Sequence, residues 1–358
     1  MQKKIMIAFR EGSENGGPYN SHLRIINSTL KEKYKFVPLI VPKGKMGLFN
    51  IKILKSLVGQ IKAEKPDAVQ IIGLEMIGYY LALSCRLAHV KKVIIAIHGS
   101  ASEAIAFNKN PLKKWIMEKL EIFTLKTGMV TYGVSEYVYS IKNVSKYSKH
   151  YFGAIYNMLL NDEQVYERQD IRSELGISNN AILVVSTGRL IQEKGFDVFT
   201  DIIKNYRNNP DVVFVIAGDG NYKANMEKEL KTQISNHQVF LLGYRSDISR
   251  ILSGGDIFVM PSYHETLCMS LIEAGQKQLA MIASNVGGMK EIIDHDVSGY
   301  LAEVGNADSF CKYIDELIRN PKLLNTMKDR AYQSTMSKFS NQIAVEKLDS
   351  MYSELLGE

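Results

Sequence analysis

Short runs rich in β-branched residues alternate along the chain with longer segments whose apolar residues recur every three or four positions. In the first half the runs are KIMIAF (4–9), KFVPLIV (35–41), AVQIIG (68–73), VIIAIHG (93–99) and GMVTYGVS (128–135). Between them, NIKILKSLVGQIKAEKP, MIGYYLALSCRLAHV and NPLKKWIMEKLEIFTLKTG read as helices with one apolar face. Around 155–180 the pattern lapses into polar sequence, and a second series follows, with strands predicted at 181–188, 212–218, 238–243, 256–262 and 280–285. Its helical stretches are GFDVFTDIIKNYRN, NYKANMEKELKTQI, DISRILSGG, LCMSLIEAGQKQ and DSFCKYIDELIRN. The last segment, NQIAVEKLDSMYSELLG, is amphipathic and has no strand after it. This order predicts an α/β protein of two doubly wound domains with mostly parallel sheets, joined near 155–175.

Composition adds a charge asymmetry. The 358 residues are 46% hydrophobic and 23% charged, as expected of a globular protein. Residues 1–160 hold 24 Lys and Arg against 10 Asp and Glu, a net +14, whereas 161–358 hold 20 against 28, a net −8. A basic half suits a phosphorylated substrate, an anionic lipid or a nucleic acid. The acidic half argues against wrapping a polynucleotide, so no nucleic-acid partner is expected. Three scattered cysteines, Cys85, Cys268 and Cys311, make no disulfide framework and point to reduced thiols in the cytoplasm. MQKKIMIAF runs straight into a strand rather than a signal peptide, and no stretch reads as a membrane span.

In open α/β sheets ligands gather beyond the carboxyl ends of the strands, and several candidates fall there. Gly16 and Gly17 follow the first strand and read either as a flexible loop or as a close approach of backbone to an anion. Arg189 and Lys194, in GRLIQEKG, are two cations between a strand and a helix, suited to a diphosphate, with Glu193 leaving an ordinary salt-bridged loop as the other reading. Gly218 sits in a tight turn, Leu242 and Gly243 offer backbone to a base, and His98 follows a buried strand in a position more open than a core histidine would take. In PSYHETLCMSLIEAG, Glu265 is expected in an exposed loop, with a helix starting near Thr266 or Leu267. The first amides of that helix suit a phosphate. Glu273, about 12 Å further along by helical rise, suits ribose hydroxyls. No HExxH or CxxC is present, so no metal site is expected.

In order, GRLIQEKG, VIAGDG, VFLLGY, DIFVMPSYHETLCMSLIEA and NVGGMKEII resemble family 4 of the retaining glycosyltransferases, in the glycogen-synthase-like superfamily. The resemblance covers nearly the whole chain and implies the GT-B fold, two Rossmann-like domains facing across a cleft. Residues 1–160 would form the acceptor-binding domain, with the helix at 341–358 packing back on it, and 161–340 the donor-binding domain. Arg189 and Lys194 would hold the donor diphosphate, Glu265 the transferred sugar and Glu273 the ribose. The amides of Thr266, Leu267 and Cys268 would complete the site, with Gly16, Gly17, Gly218, Leu242 and Gly243 lining it and His98 beside the sugar. Gly287, Gly288 and Glu291 would match a structural loop and helix start. Relatives often carry Gly-Phe-Gly where this chain has Thr266-Leu267-Cys268, so sugar specificity is not inherited.

The implied reaction moves a hexose or related sugar from a nucleotide diphosphate sugar, foremost a UDP-sugar, to a hydroxyl of a glycan or lipid-linked acceptor, with no cofactor and no metal. Capsule, lipopolysaccharide or exopolysaccharide synthesis is the expected setting, in the cytoplasm or peripherally on an anionic inner membrane face. Nine lysines in 31–65 and Trp115 within PLKKWIMEKLEIF are the sequence basis for the membrane expectation, a solvated helix face being the other reading. A sugar-nucleotide-binding scaffold without turnover is the first alternative from another class, and a nucleic-acid-binding protein, resting on the basic N-terminal half, comes after it.

Overall fold

The computed structural model describes residues 2–13, 16–44, 46–47, 49–100, 103, 110–159 and 165–357. The boundary expected at 160/161 lies outside them. The chain separates into two compact units, Met1–Leu160 with Asn341–Glu358, and Asn161–Ser340.

The strands of the first unit are β1 (Lys4–Arg10), β2 (Lys35–Val41), β3 (Ala68–Ile72), β4 (Val93–Ile97), β5 (Val130–Gly133) and β6 (Tyr151–Ala154). They form one parallel sheet in the order β2-β1-β3-β4-β5-β6. The second unit has β7 (Ile182–Thr187), β8 (Val212–Ala217), β9 (Val239–Leu241), β10 (Ile257–Met260), β11 (Ala280–Ser284) and β12 (Gly299–Ala302). Its sheet, also parallel, runs β12-β11-β10-β7-β8-β9. Every residue of β3, β4, β8, β10 and β11 is buried. Continuous apolar strands of this kind follow from helices covering both faces of a parallel sheet.

Several elements depart from the sequence reading. β6 and β12 were not foreseen: each is four residues at a sheet edge, too short to show a period. A 19-residue helix, Pro321–Phe339, was also missed because its buried stripe, Leu324, Met327, Ala331, Thr335 and Phe339, contains a small and a polar residue. That helix lies against Met269–Gln276, where a side chain on Gly275 would stand 2.1 Å from Thr335 Oγ1. The stretch expected as one helix at 221–234 is two, Lys223–Glu229 and Lys231–Ser235.

The final helix, Asn341–Leu356, belongs to the first unit. Ala344, Leu348, Met351, Tyr352, Leu355 and Leu356 enter the core made by Ile5, Ile7, Phe9, Ile25 and Tyr34. Asn341 fastens its start by accepting from the Leu159 amide and donating to the Leu159 carbonyl.

At the amino end of the second sheet, Asp256 is buried among three cations. Arg168 donates to it through Nη1 and Nη2, Arg172 Nη2 donates at 2.7 Å, Lys328 Nζ stands at 3.5 Å and the Leu183 amide donates at 3.0 Å. Arg172 is itself almost fully buried and donates to Gly254 O, Ser178 O and Ala181 O. Burial alone would raise the Asp256 carboxyl, but Arg168, the Leu183 amide and Lys328 outweigh it and hold it below the ordinary value. A carboxyl lowered in the folded state adds stability that is complete above the unfolded value, about pH 4, and is lost as the pH falls through the folded one. Asp256→Ala should therefore cost about 3–5 kcal/mol, because buried cations lose their counterion. Urea unfolding at neutral pH measures the cost, and the difference from the parent chain should shrink in acid.

Candidate functional site

In the second sheet β7 lies between β10 and β8, so the strand order reverses beside β7 and the loops after β7 and β10 leave on either side of a crevice. Arg189 and Lys194 stand in the first loop and Glu265 in the second. The two loops are joined directly. Lys194 Nζ donates to Glu265 Oε1 at 2.5 Å, Ser262 Oγ donates to the same oxygen at 3.3 Å, and the Tyr263 amide donates to Glu193 O at 3.0 Å. Burial pulls the Lys194 ammonium down, and the Glu265 carboxylate more than reverses it, so Lys194 stays charged at neutral pH.

This corrects the expectation of an exposed Glu265, which is only 6% accessible. The reason is the turn after β11. Gly288 N donates to Glu265 O at 3.1 Å, and a side chain on Gly287 would stand 1.8 Å from that same oxygen. Without side chains at 287 and 288, the Glu265 backbone sinks between two neighbouring loops. Thr266, Leu267 and Cys268 are buried with it, and the helix starts at Met269 with Cys268 as its cap, two or three residues later than expected. Burial, then the Glu265 carboxylate, push the Cys268 thiol well up, so it is no thiolate nucleophile. Glu273 is half-buried on this helix.

Gly218 performs the same service on the other side of β7. A side chain there would meet Gly188 O at 1.8 Å, and its amide donates to Gly243 O at 2.7 Å. Leu242 N donates to Ile216 O, which extends the pairing of β8 and β9 to the edge of the site. Arg189 is exposed on this ledge, and so is Tyr244.

The other predicted residues lie in the first unit. Gly16 caps the helix Gly17–Asn27, and a side chain on Gly17 would meet nothing within 4 Å. His98 follows β4 and is half-buried, more open than the fully buried His22, although its Nε2 is buried without a hydrogen-bond partner among the described residues. Burial, with His22 packed edge-on at 6.1 Å between ring centroids, lowers its pKa to about 3. It is a neutral imidazole.

Sequence reasoning passed over His22, Glu121 and His264. His22 and Glu121 are fully buried; Glu121 accepts from Ser100 Oγ, two residues beyond His98, and from Asn143 Nδ2. His264 Nδ1 is 3.8 Å from Glu193 Oε1. The only signal for His264 was its place beside Glu265. Nothing local marked the other two. Among the described residues, no three His, Cys, Asp or Glu are grouped to hold a metal ion.

Residues 167–334 match the family described as glycosyl transferases group 1. The second unit is a group 1 glycosyltransferase domain. A relative along most of the chain is the UDP-Gal:alpha-D-GlcNAc-diphosphoundecaprenol alpha-1,3-galactosyltransferase of Escherichia coli, 28% identical over 86% of this chain and 80% of its own. The amylovoran biosynthesis glycosyltransferase AmsD of Erwinia amylovora is 25% identical over 82% of this chain and 79% of its own. Among solved structures, Anabaena HepE with UDP and glucose superposes with a TM-score of 0.78 at 17% identity, over 99% of this chain and all of that one. The sucrose-phosphate synthase of Thermosynechococcus elongatus gives 0.82 at 15%, again over 99% and 100%. These likenesses establish the GT-B fold.

Within the glycosyltransferase domain, the glycine contact at Glu265 yields a test. Gly287→Ala should lower stability by at least about 2 kcal/mol, since the added carbon would overlap a carbonyl at a left-handed φ. Thermal unfolding reads the loss, and Gly17→Ala, with open space around it, should leave the melting temperature nearly unchanged.

Proposed function

We propose that this glycosyltransferase moves a hexose or related sugar, with retention, from a UDP-sugar to a hydroxyl of a lipid-linked or glycan acceptor. The observation that carries the reading is the partly buried Lys194–Glu265 pair at the strand-order reversal, with exposed Arg189 on the same loop. Support comes from the E. coli relative, whose name specifies a UDP-sugar and a diphosphoundecaprenol acceptor, and from HepE structures holding UDP and UDP-glucose.

Departure of a nucleoside diphosphate concentrates negative charge on its terminal phosphate. Lys194, already oriented by Glu265, offers its remaining N–H bonds to that charge, and Arg189 adds a fork of directed donors. Both gain most when the glycosidic bond has broken, so they favour the transition state over bound donor. The amides at Thr266, Leu267 and Cys268 are assigned to the phosphate and sugar, Glu265 to the sugar, and Glu273 to the ribose. Gly16 and Gly17 are assigned to the diphosphate, and the backbone of Gly218, Leu242 and Gly243 to the nucleoside. His98, held neutral, hydrogen-bonds the sugar without adding charge. The leaving phosphate takes the proton of the incoming hydroxyl on the same face, so no protein base and no metal are assigned.

The acceptor reading extends to an anionic membrane surface. No helix among the described residues is long and apolar enough to cross a bilayer. Phe49 is 75% and Trp115 56% accessible, however, and Ile51 and Leu112 are also exposed. All four stand at the starts of the helices Ile51–Glu64 and Pro111–Thr127, beside Lys52, Lys55, Lys113, Lys114 and Lys119. Apolar anchors among lysines suit a surface of anionic headgroups.

Two measurements test this function. Arg189→Ala should lower kcat by roughly 100-fold, and Glu273→Ala should mainly weaken UDP binding, by about tenfold or 1.4 kcal/mol. Initial rates and calorimetry with UDP read the two effects, and parent-like values in both variants would remove the assigned site. Vesicles containing phosphatidylglycerol should co-sediment the chain at low salt and release it as salt rises, whereas neutral vesicles should not. Trp115→Ala with Phe49→Ala should reduce the bound fraction severalfold; binding that ignores lipid charge and both residues would count against the membrane reading.

A further inference from the structure

Behind His98, a closed set of polar side chains sits in the core of the first unit. His22, Gln70 and Tyr352 have no exposed surface, and Tyr132 almost none. His22 Nδ1 lies 2.9 Å from Ala8 O, Gln70 Nε2 lies 3.1 Å from His22 Nε2, and the same amide nitrogen donates to Tyr132 Oη at 3.1 Å. Tyr352 Oη, on the C-terminal helix, donates to Gln70 Oε1 at 2.6 Å.

The donor count fixes the proton. A carbonyl oxygen only accepts, so His22 Nδ1 carries hydrogen toward Ala8. The amide oxygen of Gln70 is committed to Tyr352, which leaves its NH2 facing His22 Nε2 and Tyr132. An amide N–H can meet Nε2 only if Nε2 is unprotonated. A second proton on His22 would face another N–H at a position with no solvent-accessible surface, and burial already lowers its pKa to about 4.

His98 stands edge-on against this ring, which is backed on another side by Phe9. We propose that Gln70 is a positioning residue whose amide locks His22 as a neutral imidazole, the uncharged wall against which His98 is set. The lock ties His98 to the C-terminal helix through Tyr352, although that helix is more than 240 positions away in sequence.

The titratable groups facing the network are His98, Tyr132 and Tyr352. Tyr34 packs against Tyr352 and donates to Asp349, which Lys33 also binds, and Arg24 on the His22 helix donates to Met158 O. Asp349 is thus engaged elsewhere, and none of the residues bonded to His22 is a carboxylate.

The inference rests on the reading of His98 as a sugar-binding group, but the NMR arm of its test does not. Histidine-labelled full-length chain is titrated by NMR, in parallel with pH profiles of kcat on the UDP-sugar. In the parent chain, His22 should carry its proton on Nδ1 and remain neutral down to about pH 5.5. Gln70→Glu replaces a donor with an acceptor, so His22 should become protonated in the neutral range, and kcat should fall at least about tenfold toward pH 6. Gln70→Leu should lower activity without that new pH dependence.

If Gln70→Glu fails to fold, Tyr352→Phe carries the test. It keeps the ring and frees the amide to turn its oxygen toward His22, so Nε2 can take a second proton while Ala8 O still holds the one on Nδ1, and His22 should titrate closer to neutrality than in the parent. A parent His22 protonated on Nε2 would overturn the proposal, as would one titrating near neutrality. So would a folded Gln70→Glu or Tyr352→Phe chain whose His22 signals match the parent. Full turnover in His98→Ala would instead remove the functional reading of His98 and leave the lock on His22 to be decided by NMR.

Discussion

Lys194 and Glu265 are 71 positions apart, and the ion pair they form holds together two loops that nothing in local sequence obliges to meet. Two opposite charges in a mostly dry crevice each lose several kcal/mol of hydration, and their attraction repays that only at close range and with further hydrogen bonds. Here the range is 2.5 Å, and Ser262 adds a bond to the same carboxylate oxygen. The pair orients a cation in advance, as the proposed reception of an anionic leaving group requires. A lysine on a flexible loop would have to be ordered during each turnover.

That pair is possible only because backbone packs on backbone around it. Gly287 and Gly288 let the turn after β11 press on Glu265 and Thr266, and Gly195 lets the Lys194 turn approach Pro261, where a side chain would stand 1.9 Å from the carbonyl. Gly218 and Gly188 repeat the arrangement on the far side of β7. The carboxyl end of the second sheet is therefore a floor of loops in contact, not a fringe of independent turns. The role proposed for this segment depends on that floor, and Thr266, Leu267 and Cys268 are accommodated by burial rather than by projecting into solvent.

The first unit solves a different problem. Its sheet needs a cover on the side of Phe9 and Tyr34, and the chain supplies it from its last sixteen helical residues, after it has built the whole second unit. Because Tyr352 reaches Gln70 and Gln70 reaches His22, the same helix that closes the core is also hydrogen-bonded into the polar cluster behind β4.

Much of the fold was legible, because strands buried on both faces are continuous apolar runs and the helices between them carry a clear stripe. The four-residue edge strands β6 and β12 were not, since a pattern that short has no period, and the helix Pro321–Phe339 was hidden by Ala331 and Thr335 in its stripe. At the site, the residue types and their order along the chain, Arg189 and Lys194, then Glu265 and Glu273, were set by the sequence and carried the family resemblance. Tertiary structure alone decided that Glu265 is buried against Lys194, that the helix begins at Met269 rather than at Thr266 or Leu267, and that His98 is a neutral ring backed by His22. Chemistry-bearing residues announce themselves by type and spacing. Their burial and protonation depend on neighbours tens to hundreds of positions away, and only the folded chain brings those together.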